Sequence, residues 1–292
     1  MRTQPQDVIA KLEADNSRLA KEKILLDAMT EGLDEFFEGL KMCLDKLYTF
    51  GVKQVPTKDE VVAGQGCPWN VFKDLAEKLY NRELTGHNAR DAINLVMSSA
   101  TAEQWNGFYR RILIKDLRCG VSEKTVNSVA KKNKFGKYMV PVFTCQLAHD
   151  SANHEKKLVG KKMLEVKLDG VRTLAIVHPD GKVDMLSRNG KEFTNFGHIQ
   201  DEISAVVKQD PPPYPLVLDG EVMSENFQDL MKQVHRKGSA DAKDAVLHLF
   251  DFIPLEEFKK GKWDKTQTLR TAMLKAWYQK HETNLNLSLI HI

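Results

Sequence analysis

Apolar residues recur every third or fourth position through about the first 135 residues, the period of helices that bury one face. Val8, Ile9 and Leu12 open the pattern. Leu33, Phe36, Phe37, Leu40 and Leu44 continue it, followed by Phe72, Leu75 and Leu79, then Ile93, Leu95 and Met97. The stretch VPTKDEVVAGQGCPW breaks the period with glycine and proline and predicts a loop. Arg110 and Arg111 read as ordinary helix surface. From Tyr138 the pattern changes: MVPVFTCQLA is β-prone, and Pro141 bars a helix there. Next, MLEVKL, VRTLAIVH and KVDMLS are separated by Asp-Gly, Pro-Asp-Gly and Asn-Gly, which predicts an antiparallel meander with tight turns. A helix from Asn195 to Lys208, a loop at Pro211-Pro212-Pro213 and a strand from Leu216 to Met223 follow. A short helix from Phe227 to His235, an apolar strand AVLHLFDFIP and a last helix from Thr266 to Lys280 complete the reading. The change of period predicts a helical domain over 1–137 and a mixed one over 138–286.

Bulk composition alters this picture little. With 292 residues, 42% hydrophobic and 28% charged, the chain has enough apolar surface for two ordinary cores. A net charge of +3 permits local nucleic-acid-binding patches without demanding them. Cys43, Cys67, Cys119 and Cys145 are widely spaced with no C-x-x-C pair, which argues against a zinc module or a disulfide framework and for reduced thiols in a cytoplasm. The start, MRTQPQDVIA, has no basic segment followed by an apolar run, so no signal peptide is expected. No apolar run reaches membrane-spanning length, so no membrane partner is expected. The absence of G-x-x-x-x-G-K-[ST] argues against a P-loop.

The chemistry begins at EVKLDGVR, Glu165 to Arg172. In a strand, Glu165, Lys167 and Asp169 share one face. A lone lysine there is ordinarily a solvated side chain. Three further groups follow in order: Ser187-Arg188-Asn189-Gly190, Asp219-Gly220-Glu221 and Leu249-Phe250-Asp251-Phe252. Each puts a charged or aromatic residue near a turn. Together they present a lysine, two arginines, a glutamate and an aromatic ring toward one cleft.

EVKLDGVR resembles the K-x-D-G-x-R motif of the covalent nucleotidyl-transferase superfamily, and SRNG, DGE and LFDF resemble its next three motifs in the same order. LIKDLRCGVSEKTVNSV, Leu113 to Val129, resembles the D-L-R-x-G segment in the helical DNA-binding domain of ATP-dependent DNA ligases of the bacteriophage and viral type. The resemblance covers most of residues 70 to 280. It implies an α + β multidomain fold: an all-α N-terminal DNA-binding domain, then a partial adenylation domain with antiparallel sheets and an ATP-grasp-like nucleotidyltransferase core. It implies sealing of 3′-OH/5′-phosphate nicks in double-stranded DNA through a lysyl-adenylate, in replication, repair and recombination. ATP and Mg2+ (or Mn2+) are the implied cofactors, and a monomer in the cytoplasm of a bacterial cell or phage-infected host the implied setting.

Carried over position by position, Lys167 is the nucleophile. A free lysine, with a pKa of about 10.4, needs desolvation or nearby cations to become one. Arg172 would meet ribose and phosphate, and Arg188 the nucleotide or the 5′-phosphate of the nick, as a guanidinium fork does well. Glu221 would hold a ribose hydroxyl or the metal, Phe250 would stack on adenine, and Glu165 would accept from the adenine amino group. Arg118, Gly120 and Lys124 would contact DNA, with Ser122 capping a helix whose amides face a phosphate. Lys131, Lys132 and Lys134 add charge for contacts that read no sequence.

The resemblance also has missing parts: a later E-G-x-x-x-K strand, a K-x-K strand and an OB domain. LSLIHI, Leu287 to Ile292, matches the in-frame reading of a transposon-end sequencing adapter. The expectation is a C-terminally truncated chain with an adapter-derived tail at 287–292, which seals no nicks and takes up adenylate poorly. Rival readings are weaker. An RNA ligase or mRNA-capping guanylyltransferase is opposed by the DLRCG segment, and an NAD-dependent ligase by the arginine of K-x-D-G-x-R. A non-catalytic nucleic-acid-binding protein with a decayed site is opposed by four intact motifs.

Overall fold

The computed structural model describes residues 3–61, 64–225, 244–281 and 288–289. The chain divides into two units, Met1–Phe143 and Thr144–Ile292.

Every regular element described in the first unit is helical: α1 Pro5–Ala14, α2 Arg18–Thr30, α3 Asp34–Leu44, α4 Trp69–Tyr80, α5 Gly86–Ser99, α6 Ala102–Gln104, α7 Arg110–Leu113 and α8 Glu123–Lys132. A π-helical turn, Trp105–Tyr109, joins α6 to α7. The predicted apolar stripes form one core in which Phe36, Phe37, Leu40, Phe72, Leu79, Ile93, Trp105 and Phe108 are buried. Leu95, read as part of the stripe, is 69% exposed. Helix α3 comes close enough to the π turn that a Cβ on Gly39 would stand 2.5 Å from the Phe108 ring. Side-chain oxygens of Ser17, Thr101 and Ser122 cap α2, α6 and α8.

Several charged side chains are structural. Lys115 donates from Nζ to the carbonyls of Met42, Asp45 and Tyr48 at 2.6–2.7 Å, closing the end of α3. Lys58 does the same at the end of α5, through Met97, Ser98 and Ala100. Arg110 and Arg111 are not plain surface. Arg110 donates to the Val55 carbonyl at 2.9 Å, and Arg111 to the Leu117 carbonyl and the Glu13 carboxylate, each at 2.9 Å. They tie loops to the helix, a use of arginine that periodicity does not reveal.

The second unit is built on a sheet of order β2-β1-β3-β4-β5. Its strands are β1 Val171–Val177, β2 Val183–Ser187, β3 Leu216–Met223, β4 Val246–Pro254 and β5 Ser288–Leu289. All pairings are antiparallel except that of β5 with β4. Helix α9, Gly197–Gln209, and helix α11, Gln267–His281, supply Ile199, Ile203, Val206 and Leu274 to a core against one face of the sheet. A short helix α10, Leu255–Lys260, follows β4. The helix predicted at Phe227–His235 lies outside the described residues.

One predicted strand does not form. Residues 161–169 have no regular structure, so MLEVKL does not pair with β1, and the β-prone stretch MVPVFTCQLA is neither helix nor strand. The Asp169-Gly170 step is not a hairpin turn. Gly170 lies against β3, where a Cβ would meet the Val222 carbonyl oxygen at 2.3 Å. Its amide donates to Glu221 Oε1 at 3.1 Å. With β3 on one edge of β1 and β2 on the other, no edge remains for the preceding segment. The chain enters the sheet at Gly170.

Strand β4 carries a bulge. Asp219 pairs with Asp251 but Gly220 with Leu249, so Phe250 is the extra residue. The bulge lets both Leu249 and Phe252 reach the helix-side core while Phe250 does not. Gly220 sits opposite it, where a Cβ would stand 2.6 Å from the His248 carbonyl oxygen. Gly220→Ala is therefore expected to cost about 1–3 kcal/mol, as overpacking against backbone does. A lower urea midpoint with unchanged helical content of the first unit is the result to look for.

Candidate active site

The polar face of the sheet is the one turned away from α9 and α11. Alternation puts Arg172, Leu174 and Ile176 of β1 on it, opposite Glu221, Asp219 and Val217 of β3. On β4, His248 stands opposite Glu221. Arg188 follows Leu186 by two residues, just past the end of β2, in a turn closed by the Gly190 amide on the Ser187 carbonyl at 2.8 Å. Gly190 has φ +73°, which explains the Asn-Gly at this corner.

Arg172 is the hub. Its Nε and Nη2 donate to the two oxygens of Asp219 at 2.9 and 2.7 Å, a bidentate bond, and Nη1 donates to the Gln146 carbonyl at 2.7 Å. Its guanidinium carbon lies 5.2 Å from the centroid of the Phe250 ring. The Asp219 side chain is 6% exposed and that of Arg172 is 21% exposed. Burial pushes the Asp219 carboxyl up, and the bonds from Arg172 pull it partly back. Burial opposes the charge on Arg172 too, yet the bond to Asp219 leaves its proton held more tightly than usual.

Glu221 accepts from the Gly170 amide, as above. Burial raises its carboxyl, while that amide, Lys167 and Arg172 lower it. Its other oxygen makes no hydrogen bond among the described residues. A hard oxygen so placed suits Mg2+ or Mn2+ that keeps several waters and is otherwise held by phosphates. Among the described residues no three His, Cys, Asp or Glu side chains gather into a metal cage.

Lys167 and Glu165 are not on a strand. Both are exposed on the segment leading to Gly170, with Lys167 Nζ donating to the Leu168 carbonyl at 3.3 Å. The structure brings together Arg172, Glu221 and Phe250, and Lys167 acts electrostatically on Glu221. Burial and Asp251 push the Glu165 carboxyl up, and Arg270 pulls it down. Arg188 is exposed, and its carbonyl accepts from Cys145 Sγ at 3.6 Å. Burial raises the Cys145 thiol, with Arg172, Asp219 and Arg188 all acting on it. Asp219 and Cys145 were missed as site residues. Asp219 was findable, since period-two alternation puts it on the face of Glu221. Nothing in the sequence singles out Cys145. All four cysteines are free thiols.

In the first unit, Lys115, Arg118 and Gly120 have φ of +60°, +54° and +64°, so the KDLRCG stretch is a tightly wound loop. Gly120 has a structural reason to be glycine: a Cβ would stand 2.6 Å from Lys21 Nζ, which donates to the Cys119 carbonyl at 2.7 Å. Arg118 is exposed beside Asp116 at 3.6 Å, and Lys124 is exposed on α8.

Comparison with known proteins identifies the family. A family profile described as "ATP dependent DNA ligase domain" matches residues 144–289, half of the chain. The chain belongs to that family. DNA ligases of Enterobacteria phages T4 and T6 are each 26% identical to it over 151 residues, covering 50% of the chain and 30% of the phage protein. A solved structure named Pmar-Lig_PreS3 is 60% identical with a TM-score of 0.55, and the match covers 99% of the chain and 66% of that structure. The chain thus spans under a third of the curated relatives it matches. No helix among the described residues is long and apolar enough to cross a membrane.

Proposed function

We propose that this chain carries the lysyl-adenylate-forming chemistry of an ATP-dependent DNA ligase, as part of an enzyme that seals 3′-OH/5′-phosphate nicks in double-stranded DNA. The observation that carries the reading is Arg172, Glu221 and Phe250 on one polar face, directly after the segment bearing Lys167, with Arg188 just past the end of β2. It is the face on which cations, a carboxylate and a ring suit a nucleoside triphosphate. Lys167 attacks the α-phosphorus of ATP as the neutral amine. The new bond is Lys167 Nζ to phosphorus, the bond to pyrophosphate breaks, and the amine proton leaves to solvent. Catalysis of such in-line transfer rests on position and charge neutralisation. Arg172, fixed by Asp219 and Gln146, is pre-set toward ribose and phosphate, and Arg188 is free to swing toward phosphate. Phe250 offers its ring to adenine, and Glu165 its carboxylate to the amino group. When bound, Mg2+ or Mn2+ would supply charge neutralisation beside Glu221.

The helical unit is proposed as the nucleic-acid-binding part, with Arg118, Lys124 and the Ser122-capped start of α8 on phosphates, and Gly120 shaping the loop. Replication, repair and recombination, as a monomer in the cytoplasm of a bacterial or phage-infected cell, are the setting this reading implies.

Incubation with α-labelled ATP tests the reading. Label is expected on Lys167, in low yield, and none on Lys167→Ala. A nucleic-acid-binding protein without catalysis would instead bind DNA equally well with or without ATP, and Lys167→Ala would leave that binding unchanged.

A further inference from the structure

We propose that Arg270 is a positioning residue: by clamping Asp251 it fixes the β4 bulge, and so holds the Phe250 ring where the nucleobase stacks. The inference rests on the reading of the site just given. None of the four motifs contains Arg270. It lies in the first turn of α11, on the helix layer of the unit.

Phe250 has no partner in the β3–β4 register, since Asp251 pairs with Asp219 and Leu249 with Gly220. Cross-strand pairing therefore does not fix its backbone, and its two chain neighbours must. On one side, Leu249 is fully buried in the helix-side core. On the other, Asp251 is clamped by Arg270. Nε donates to both Asp251 oxygens at 2.9 and 3.2 Å, and Nη2 to Oδ2 at 3.0 Å. Asp251 Oδ1 also accepts from the Phe252 amide at 2.8 Å, so the clamped carboxylate is tied to the backbone of the bulge. The arginine is itself held: Nη1 donates to the Lys265 carbonyl at 3.0 Å, and Nη2 also donates to the Gln267 side chain. The Asp251 and Arg270 side chains are only 14% and 16% exposed, so water competes little for these charge-assisted bonds.

A second arginine–aspartate pair touches the same bulge. Asp219, the cross-strand partner of Asp251, holds Arg172 through both its oxygens, and the Arg172 guanidinium carbon lies 5.2 Å from the Phe250 ring centroid. One pair thus ties the bulge to α11, and the other sets a cation beside its ring. A ring held in place before the base arrives spares binding the cost of ordering it. Removing Arg270 leaves Asp251 a largely buried carboxylate without its cation, a state the bulge relieves by turning Asp251 toward water. Phe250 is covalently next in line and moves with it. Arg172 keeps its own bonds to Asp219 and stays where it was, which makes it a fixed reporter of the ring.

The experiment is a double-mutant cycle in the full chain, read as the ATP concentration that half-saturates label transfer. Phe250→Ala is expected to raise it about tenfold, the scale of one base–aromatic stack, and Arg270→Met to raise it several-fold. In the Phe250→Ala background, Arg270→Met should raise it no further, because the ring it positions is gone. An equal rise in both backgrounds overturns the claim that Arg270 acts through the ring. A second readout needs no nucleotide: the 15N-resolved Nε–H resonance of Arg172, which feels the Phe250 ring current. Arg270→Met should shift it in the same direction as Phe250→Ala. Arg270→Lys, which keeps a charge beside Asp251 and loses the fork, should fall between on both readouts, and it decides the question if Arg270→Met does not fold. An Arg172 resonance that Phe250→Ala moves and neither Arg270 variant moves overturns the positioning role. A wild-type chain that takes no label counts against the proposed function, while the Arg172 resonance still decides positioning.

Discussion

Asp219→Ala is expected to unfold the second unit at markedly lower urea and to abolish adenylate transfer to Lys167. The change removes both acceptors of the bidentate bond at 2.9 and 2.7 Å, leaving a largely buried guanidinium with the Gln146 carbonyl as its remaining partner. Breaking such a pair from one side costs about 3–5 kcal/mol, because the surviving charge stays desolvated. Arg172 is then free to leave Phe250, and the hub of the polar face is lost. Asp219→Asn separates stability from chemistry. It keeps one acceptor and the shape, so the unit should remain folded while label transfer still falls at least tenfold, the scale of a lost charge-assisted bond. Urea titration and labelled ATP are the two measurements. Wild-type label transfer in Asp219→Asn would show that Arg172 needs no anchoring carboxylate.

The strands that were legible were those whose alternation and turn residues agreed. LVLDGEVM reads as a strand and is one, Leu216–Met223, because its even positions fill the helix-side core and its odd ones do not. VRTLAIVH and KVDMLS form a hairpin through Gly181 at φ +85°. EVKLDG carries the same local signals, yet its glycine is used to pass close to β3, a demand set by a neighbour distant in sequence. No window of local periodicity contains that neighbour. The same holds for the site. Arg172, Glu221 and Phe250 were readable as motif residues, and the structure places them together. The bulge that sends Phe250 to the polar face, and the Asp219 bond that fixes Arg172, depend on cross-strand register. Register is a property of pairs, and one strand's sequence does not state its partner's offset.

The helical unit carries a comparable lesson in Lys115, which stands inside the segment resembling a DNA-binding motif but points into the protein. Lys115→Met is expected to destabilise that unit by about 3 kcal/mol at pH 7, because three carbonyls at the end of α3 lose their donor. A mutation of a DNA-contacting lysine would instead weaken binding with little effect on stability. The pH dependence sharpens the distinction. Burial pulls the Lys115 amine down to about 8 from 10.5. Between those values the folded state binds fewer protons at this residue than the unfolded state, so its contribution to stability grows as pH rises from 8 to 10.5. It is lost again as pH falls through 8. Cys43, pushed up to about 12 by burial, acts in the opposite sense above pH 9. Lys115→Met lacks the first effect and keeps the second, strengthened by loss of the Lys115 charge that lowers the Cys43 thiol. The gap in urea midpoint between wild type and variant, followed by circular dichroism, should therefore widen between pH 8 and 10. A gap that stays constant over that range would mean the amine keeps its proton inside the fold, held by the three carbonyls alone.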